Sequence, residues 1–302
     1  MSILRLCALV CLLCLARPPA GVFAQTDLLP ENRPYPEMND FLARVKDNLK
    51  SDRLLLSQYT YNRKTTTRYL DKHGRATKTE VAEYEVYPSL DEDMNYERLI
   101  AKNGRPLDAE KLEEQDRKYK KKADARARKL AGEQKSDREE RLAKEEEESR
   151  KERQTIEDLF GIYEFVLLNR EMAGGHSAIW IQFTPRPQYR PQTKDGEVLK
   201  KARGKALVSE TDYQVIRVDV ELTDDLSIGL GLLARIHKGT KLAFVRQKVN
   251  NEIWLPAEFR LAGSARVLLL RRLRIESTSV FSNYKKFWVS SIYEFPGGKP
   301  PQ

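Results

Sequence analysis

The stretch GKALVSETDYQVIRVDV, residues 204–220, decides the fold class. It predicts two successive β-strands, at 204–209 and 215–222. Further strands follow at regular spacing, at 232–238, 241–248, 252–261 and 265–278. Turns between them are marked by Gly239-Thr240, Asn250-Asn251 and Gly263. Short strands at such spacing are typical of a continuous antiparallel meander.

The residues upstream add hairpins and one helix to this meander. Strands are predicted at 54–70, 77–87, 95–100, 163–170 and 178–184, with turns at 72–75 and at Gly174-Gly175. Before them, Met38, Phe41, Leu42, Val45 and Leu49 recur every three or four residues and predict an amphipathic helix over 36–50. The fold class is therefore α+β, with a large antiparallel sheet, and an open sheet of about ten strands tends to curl.

A highly charged segment, residues 108–158, interrupts the strands. It holds 33 charged residues out of 51, of which 16 are positive and 17 negative. Acid-first pairs at i, i+4, such as Glu113 and Arg117, favour a solvated helix. Gly132 is the weak point, so the segment is either one long helix or two helices that bend there.

The first residues are typical of a secretory signal. A short apolar run at 6–16 precedes Val22, Phe23 and Ala24, which predict cleavage after Ala24 and an exported, periplasmic or extracellular protein. All three cysteines lie before that point, so the mature chain has no disulfide. We therefore divide the chain into a signal peptide (1–24), a flexible lead-in (25–36), a β domain in two parts (37–107 and 159–290), the charged helical insertion (108–158) and a flexible tail (291–302).

Signals of catalysis are sparse in the mature chain. His73, His176 and His237 are its only histidines, and none has a helical partner at i+4. The run Gly229 to Ala234 matches a loose dinucleotide fingerprint, but a predicted strand follows it instead of a helix. The sequence therefore predicts no catalytic residue, no metal ligand, no cofactor, no nucleic-acid partner and no enzyme activity.

Large aromatic side chains give the more informative pattern. They fall on successive predicted strands, at Phe165, Trp180, Phe183, Phe244, Trp254 and Phe259. If the curled sheet turns one face inward around the helix, these side chains line a cavity for an apolar ligand. The alternative is an ordinary packed core.

A second pattern is a basic strand that carries Arg266, Arg271, Arg272 and Arg274. Its side chains either face an anionic membrane surface or protect a sheet edge from aggregation.

The stretches 204–220, 252–263 (EIWLPAEFRLAG) and 281–287 (FSNYKKF) resemble exported bacterial proteins of the lipoprotein-sorting carrier class, the LolA-like fold. The resemblance covers residues 37–107 and 159–290, and the charged insertion departs from it. It implies a half-open barrel of antiparallel strands closed by helices over an apolar cavity. The implied function is a periplasmic carrier that sequesters a lipid or an acylated protein. The alternative is an envelope scaffold that reaches a protein partner through 108–158.

Overall fold

A computed structural model describes residues 33–49, 56–228, 233–267 and 271–287. The predicted signal peptide with its cleavage site, most of the lead-in and the tail lie outside the described residues. Residues 229–232, the first four of the six residues that match the loose dinucleotide fingerprint, also lie outside the described residues.

The described elements are four helices, one short 3₁₀ turn and thirteen strands. The helices are α1 (Met38–Asp47), α2 (Ala109–Ala131), α3 (Lys135–Ile162) and α4 (Lys194–Leu199), and the 3₁₀ turn is Glu92–Met94. The strands are β1 (Tyr59–Leu70), β2 (Ala76–Tyr87), β3 (Tyr96–Lys102), β4 (Arg105–Pro106), β5 (Tyr163–Ala173), β6 (His176–Pro185), β7 (Ala202–Ser209), β8 (Val215–Leu222), β9 (Leu226–Ile228), β10 (Ala234–Ile236), β11 (Lys241–Val249), β12 (Ile253–Val267) and β13 (Arg271–Lys286).

The strands form one sheet in the order β4-β3-β2-β1-β13-β12-β11-β8-β7-β6-β5, with β9 and β10 attached beside β12. The pairings β5 to β6, β6 to β7, β7 to β8 and β11 to β12 are all antiparallel. Because the path of described strands ends at β4 and at β5, the sheet is open. The predicted α+β class with a large antiparallel sheet is confirmed.

The chain divides into two compact units, each described by itself. The first unit comprises Met1–Asp52, Thr67–Thr79 and Lys151–Ser279. The second unit comprises Arg53–Thr66, Glu80–Arg150 and Val280–Gln302.

The predicted amphipathic helix forms as α1 in the first unit. Glu37 caps its start, because the carboxylate accepts a hydrogen bond from the Asp40 amide at 2.8 Å. Phe41 and Val45 are buried, and Leu49, just past the helix end, is 3% exposed. The stripe that the spacing predicts is therefore the face that packs on the sheet.

One predicted turn in the meander is wrong. Gly263 lies inside β12, which continues to Val267. A side chain at Gly263 would meet the side chain of Thr240, in the turn before β11, at 2.4 Å, so a glycine allows this close approach. The predicted strand at 265–278 is accordingly the end of β12 followed by β13.

The charged segment forms two helices, α2 and α3, that separate at Gly132. In the second unit α2 packs on β3: the ring of Tyr119 stacks on Tyr96 with centroids 4.3 Å apart, and Ala123 is buried. The Gln115 amide exchanges two hydrogen bonds with the Leu99 backbone, at 2.9 and 3.0 Å. One face of α2 is therefore buried against β3, whereas residues 135–151 of α3 are exposed apart from a half-buried Arg141.

Candidate ligand cavity

An apolar cavity of about 110 Å³ lies in the first unit, between the sheet and the helices that cover it. Its walls come from α1, the end of α3, α4 and the strands β5, β6, β7, β8 and β11. The lining side chains are Leu42, Val45, Leu49, Leu159, Phe160, Tyr163, Phe165, Ile181, Phe183, Val198, Leu199, Ala202, Ala206, Val208, Val215, Val218, Val220, Leu222 and Leu242.

The floor of the cavity follows from the strand register. Ile181 on β6 pairs with Ala206 on β7, which pairs with Val218 on β8, which pairs with Phe244 on β11. Residues paired in this way project from the same face of the sheet. Ala206 is the smallest member of the row, and its short side chain leaves space that a leucine would fill.

The cover of the cavity comes from three helices. α1 contributes Leu42 and Val45, and the last turns of α3 contribute Leu159 and Phe160. The short helix α4 contributes its last two residues, 198 and 199. A ligand would therefore be held between a strand floor and helical side chains.

The single polar side chain of the described lining is Tyr163. Its hydroxyl donates to the Leu199 carbonyl at 2.6 Å, which also ties β5 to the end of α4. Burial raises the pKa of Tyr163 well above its usual value, so the hydroxyl keeps its proton. Because that proton is engaged, the lining offers a ligand little besides apolar contact.

A buried carboxylate, Asp158, holds the loop that leads to α4. It accepts from the amides of Gln192 and Thr193 at 3.0 and 2.8 Å, and from the hydroxyls of Thr193 and Tyr189 at 2.7 and 3.1 Å. Burial alone would raise the pKa of Asp158, but these hydrogen bonds favour the carboxylate and hold the pKa below its usual value. Gly196 also packs against Asp158, since a side chain there would lie 2.6 Å from its Oδ2. The cover is thus fixed by one charged group at the end of α3.

The structure brings four of the six predicted aromatic residues to this region. Phe165 and Phe183 line the cavity. Phe244, 2% exposed, belongs to the core beside the cavity, and Phe259 packs against the same core. Contact between any of these rings and a ligand stays a prediction.

The other two, Trp180 and Trp254, lie in a separate buried cluster with Ala178, Leu207 and Ile216. Trp180 projects away from the cavity because its neighbours at 179 and 181 face the cavity side, and adjacent strand residues point to opposite faces. Its indole Nε1 donates to Glu171 at 2.9 Å, and that of Trp254 donates to Asp212 at 2.9 Å. The two tryptophans do not line the cavity.

Sequence reasoning missed the contribution of α4. The signal present in the sequence is Thr193, a helix-capping residue type, followed by Asp195 and Glu197 in the first turn. The Thr193 hydroxyl accepts from the Gly196 amide at 2.9 Å, as a capping residue does. Tyr163 was also missed as a lining residue, since it stands at the first position of a predicted strand.

Comparison with known proteins gives structural likenesses only. No family profile and no curated protein matches the sequence. A DUF1329 family protein from Desulfovibrio piger is 14% identical, with 82% of this chain and 90% of that chain covered and a TM-score of 0.28. A putative outer membrane lipoprotein-sorting protein domain from Vibrio parahaemolyticus is 9% identical, with coverages of 76% and 84% and a TM-score of 0.26. A chain of the Pseudomonas aeruginosa MucA/MucB complex is 8% identical, with coverages of 82% and 98% and a TM-score of 0.23.

The likeness concerns the fold alone. Identities and TM-scores at this level say nothing about a ligand.

The predicted basic strand is divided between β12 and β13. Arg266 on β12 is half-buried and pairs with Arg235 on β10. Arg272 and Arg274 on β13 are exposed, and the Arg274 guanidinium donates to the Lys72 carbonyl at 3.1 Å. The side chain of Arg271 lies outside the description, and a role for these arginines at an anionic surface stays a prediction.

Neither a metal centre nor a membrane-spanning helix is found in the part of the chain that the structure describes. No three His, Cys, Asp or Glu side chains there are grouped so that they could hold a metal ion. None of the described helices combines the length and the apolar character needed to cross a bilayer. His237 lies 3.4 Å from Asp225, a single contact in a turn.

Proposed function

We propose that this chain is an exported binding protein whose first unit holds an apolar group, such as the end of an acyl chain, between the sheet and its helical cover. The observation that supports the proposal is the cavity of about 110 Å³ with an almost wholly apolar lining. Export rests on the predicted signal peptide, and the resemblance to lipoprotein-sorting carriers agrees with both points.

The size of the cavity limits what it holds in this conformation. An engineered apolar cavity of about 150 Å³ binds benzene, so this one accepts a group of only a few carbons. Burying four methylenes is worth about 3 kcal/mol, less than the roughly 4 kcal/mol of a millimolar complex. A longer acyl chain therefore needs further contact, which α1 or α4 would supply by moving away from the sheet.

The test places a larger side chain at the floor of the cavity and measures fatty-acid binding. Delipidated protein is titrated with a dansyl-labelled fatty acid, and decanoic acid is used as an unlabelled competitor. Ala206→Leu places three extra carbons in the cavity and is expected to weaken binding at least fivefold. Ala173→Leu, at the end of β5 beside the Trp180 cluster, is the matched control and is expected to bind as wild type.

Thermal unfolding of each variant shows that the fold is retained. Failure of wild-type protein to bind fatty acid would refute the proposal, as would equal binding by Ala206→Leu. In either case the cavity is an ordinary gap in a packed core.

A second candidate function is an envelope scaffold that contacts a protein partner through α3. The observation that favours it is the exposure of residues 135–151, which include the acidic run 145–148. Deleting the whole insertion would also remove the contacts of α2 with β3. Glutamine at all four positions of the acidic run is the cleaner change, because all four side chains are exposed. Unchanged partners in a crosslinking experiment on cells would exclude this function.

A further inference from the structure

Two pairs of strands in the first unit, β9 with β10 and β12 with β13, end side by side. Ala234 on β10 pairs with Val267, the last residue of β12. Leu233, which precedes β10, is 57% exposed. In the sequence, the stretches that connect β9 to β10 and β12 to β13, residues 229–232 and 268–270, contain only glycine and leucine. An exposed leucine thus lies at an end of the sheet where both connections are apolar in sequence.

Three arginines lie at this end. Arg235 on β10 is directly opposite Arg266 on β12, so the two side chains project from the same face of the sheet with Cβ atoms about 5 Å apart. Arg272, the second residue of β13, is exposed. Among the described residues, none of the three has a carboxylate within ion-pair distance. Two like charges directly opposite each other destabilise a strand pair.

The guanidinium groups of Arg235 and Arg266 are also short of acceptors. In each, Nε is shielded from water and has no hydrogen-bond partner in the described part of the chain. A buried donor without an acceptor destabilises the fold, and the repulsion between the two cations adds to this effect. An anion held at their terminal nitrogens would offset the repulsion, and the planar guanidinium matches the geometry of a phosphate.

Carboxylates of the chain do not supply that anion. Four of them border this end, and each contacts another basic side chain. These pairs are Asp71 with Arg75 at 3.0 Å, Asp224 with Lys201 at 3.7 Å, Asp225 with His237 at 3.4 Å and Glu276 with Arg68 at 2.7 Å. Asp225 also accepts from the Lys238 amide at 2.9 Å, which lowers its pKa, and the charge of Arg235 adds a smaller effect without an ion pair.

Protection of a sheet edge does not account for these arginines. Neither β12 nor β13 is an edge strand, since β12 lies between β11 and β13, and β13 lies between β12 and β1. The turn between β1 and β2 adds charge at the same end, because Arg274 donates to the carbonyl of the exposed Lys72 at 3.1 Å. The cations thus cluster around an exposed apolar residue and not along a free edge.

We infer that this end of the first unit docks on an anionic lipid bilayer, with Arg235, Arg266 and Arg272 at the lipid phosphates and Leu233 at the boundary of the acyl chains. Apolar burial and attraction to anionic lipids act together when a protein binds a bilayer surface. A soluble phosphate would use the arginines but would leave Leu233 in water. None of these residues lines the cavity, so the inference does not rest on the proposed function.

The first test measures cosedimentation of the full mature chain with vesicles. Vesicles of phosphatidylglycerol and phosphatidylcholine in equal parts should bind the protein, and phosphatidylcholine vesicles should bind it roughly tenfold more weakly or less. Each arginine near an anionic surface is worth about a fivefold gain in affinity, so Arg266→Gln, Arg272→Gln should weaken binding about 25-fold. The double variant Lys135→Gln, Lys144→Gln removes the same charge from the exposed part of α3 and should bind as wild type.

The second test shows whether Leu233 enters the bilayer. Because the predicted mature chain has no cysteine, Leu233→Cys can carry a single environment-sensitive nitrobenzoxadiazole label. The emission of this label should rise and shift to the blue with the mixed vesicles. Met172→Cys is the matched control, since Met172 is 56% exposed on β5 at the opposite end of the sheet, and its label should not change.

The two measurements together decide the inference. Equal binding to both kinds of vesicle, or an equal loss in the α3 control, would overturn it, since the arginines would then have no specific part. Vesicle binding without a change at the Leu233 label would also overturn it, because attraction of charge alone would explain the binding. An unchanged thermal midpoint shows that the arginine variant is folded, and the label tests the inference with all arginines present. Ala206→Leu should bind vesicles as wild type, which separates this result from the test of the cavity.

Discussion

Asp158→Asn should destabilise the first unit and loosen the cover of the cavity. The carboxylate has 0% exposure and accepts from two amides and two hydroxyls. An asparagine keeps one acceptor oxygen but turns an NH₂ group toward the amide and hydroxyl donors that now bond to the carboxylate. Since a hydrogen bond to a charged group contributes about 1.5–3 kcal/mol, we expect a loss of about 3 kcal/mol.

Thermal unfolding followed by circular dichroism measures this loss. In domains of 150–250 residues 1 kcal/mol moves the midpoint by roughly 2–4 °C, so the midpoint should fall by roughly 10 °C. Hydrogen exchange should also rise for the amides of residues 189–199, which the carboxylate holds. Asp224→Asn is the control, because its side chain is 70% exposed and its loss should move the midpoint little.

The effect of Asp158 should depend on pH in a defined direction. Its pKa in the folded chain lies below the usual value, so its contribution is fully present above the unfolded pKa of about 3.9 and is lost as the pH falls through the folded pKa. The stability difference between wild type and Asp158→Asn should therefore be constant above about pH 5 and shrink below about pH 4. Equal midpoints for the two variants at pH 7, or a difference that grows in acid, would refute this account.

Three further changes test the packing. Gly204→Ala should destabilise the first unit by about 2 kcal/mol or more in urea unfolding, because the new methyl would lie 2.0 Å from the Asp219 carbonyl oxygen. An unchanged free energy of unfolding would contradict that contact. Glu210→Gln should cost about 3 kcal/mol in urea unfolding, because Arg170, 3% exposed, loses its carboxylate partner at 2.8 Å. Tyr119→Leu should destabilise the second unit by about 1 kcal/mol through loss of the stacked ring, with exchange rising on β3 and unchanged on β7.

The strands and α1 could be predicted because each buries one periodic face. On β8, Val218 and Val220 alternate with Arg217 and Asp219, and this period of two is visible in the sequence. On α1 the period of three and four gives the buried stripe directly. Local periodicity was enough to predict these elements, since the core and the solvent lie on opposite sides of each.

The orientation of the tryptophans could not be predicted in this way. Residues 178–181 are all buried, so β6 is apolar on both faces. Its sequence therefore does not show which of these side chains project toward the cavity. Only the register with β7, which pairs Trp180 with Leu207 and Ile181 with Ala206, separates the two faces. A short helix such as α4 is missed for a related reason: six residues are fewer than two turns and show no period.

Cavity volume could not be predicted from the sequence, because a few carbon atoms at one lining position are enough to change it. At about 24 cal/mol per Å³, a void of about 110 Å³ costs the fold about 2.6 kcal/mol, a large part of the 5–15 kcal/mol that keeps a protein folded. A larger side chain at Ala206 would remove most of that cost, and the surrounding row of valine and isoleucine shows that larger residues are accepted on this face. Ala206→Leu therefore distinguishes two cases. If the void is a packing defect, the variant is more stable than wild type and binds fatty acid equally well. If the void is a binding site, the variant is more stable and no longer binds fatty acid.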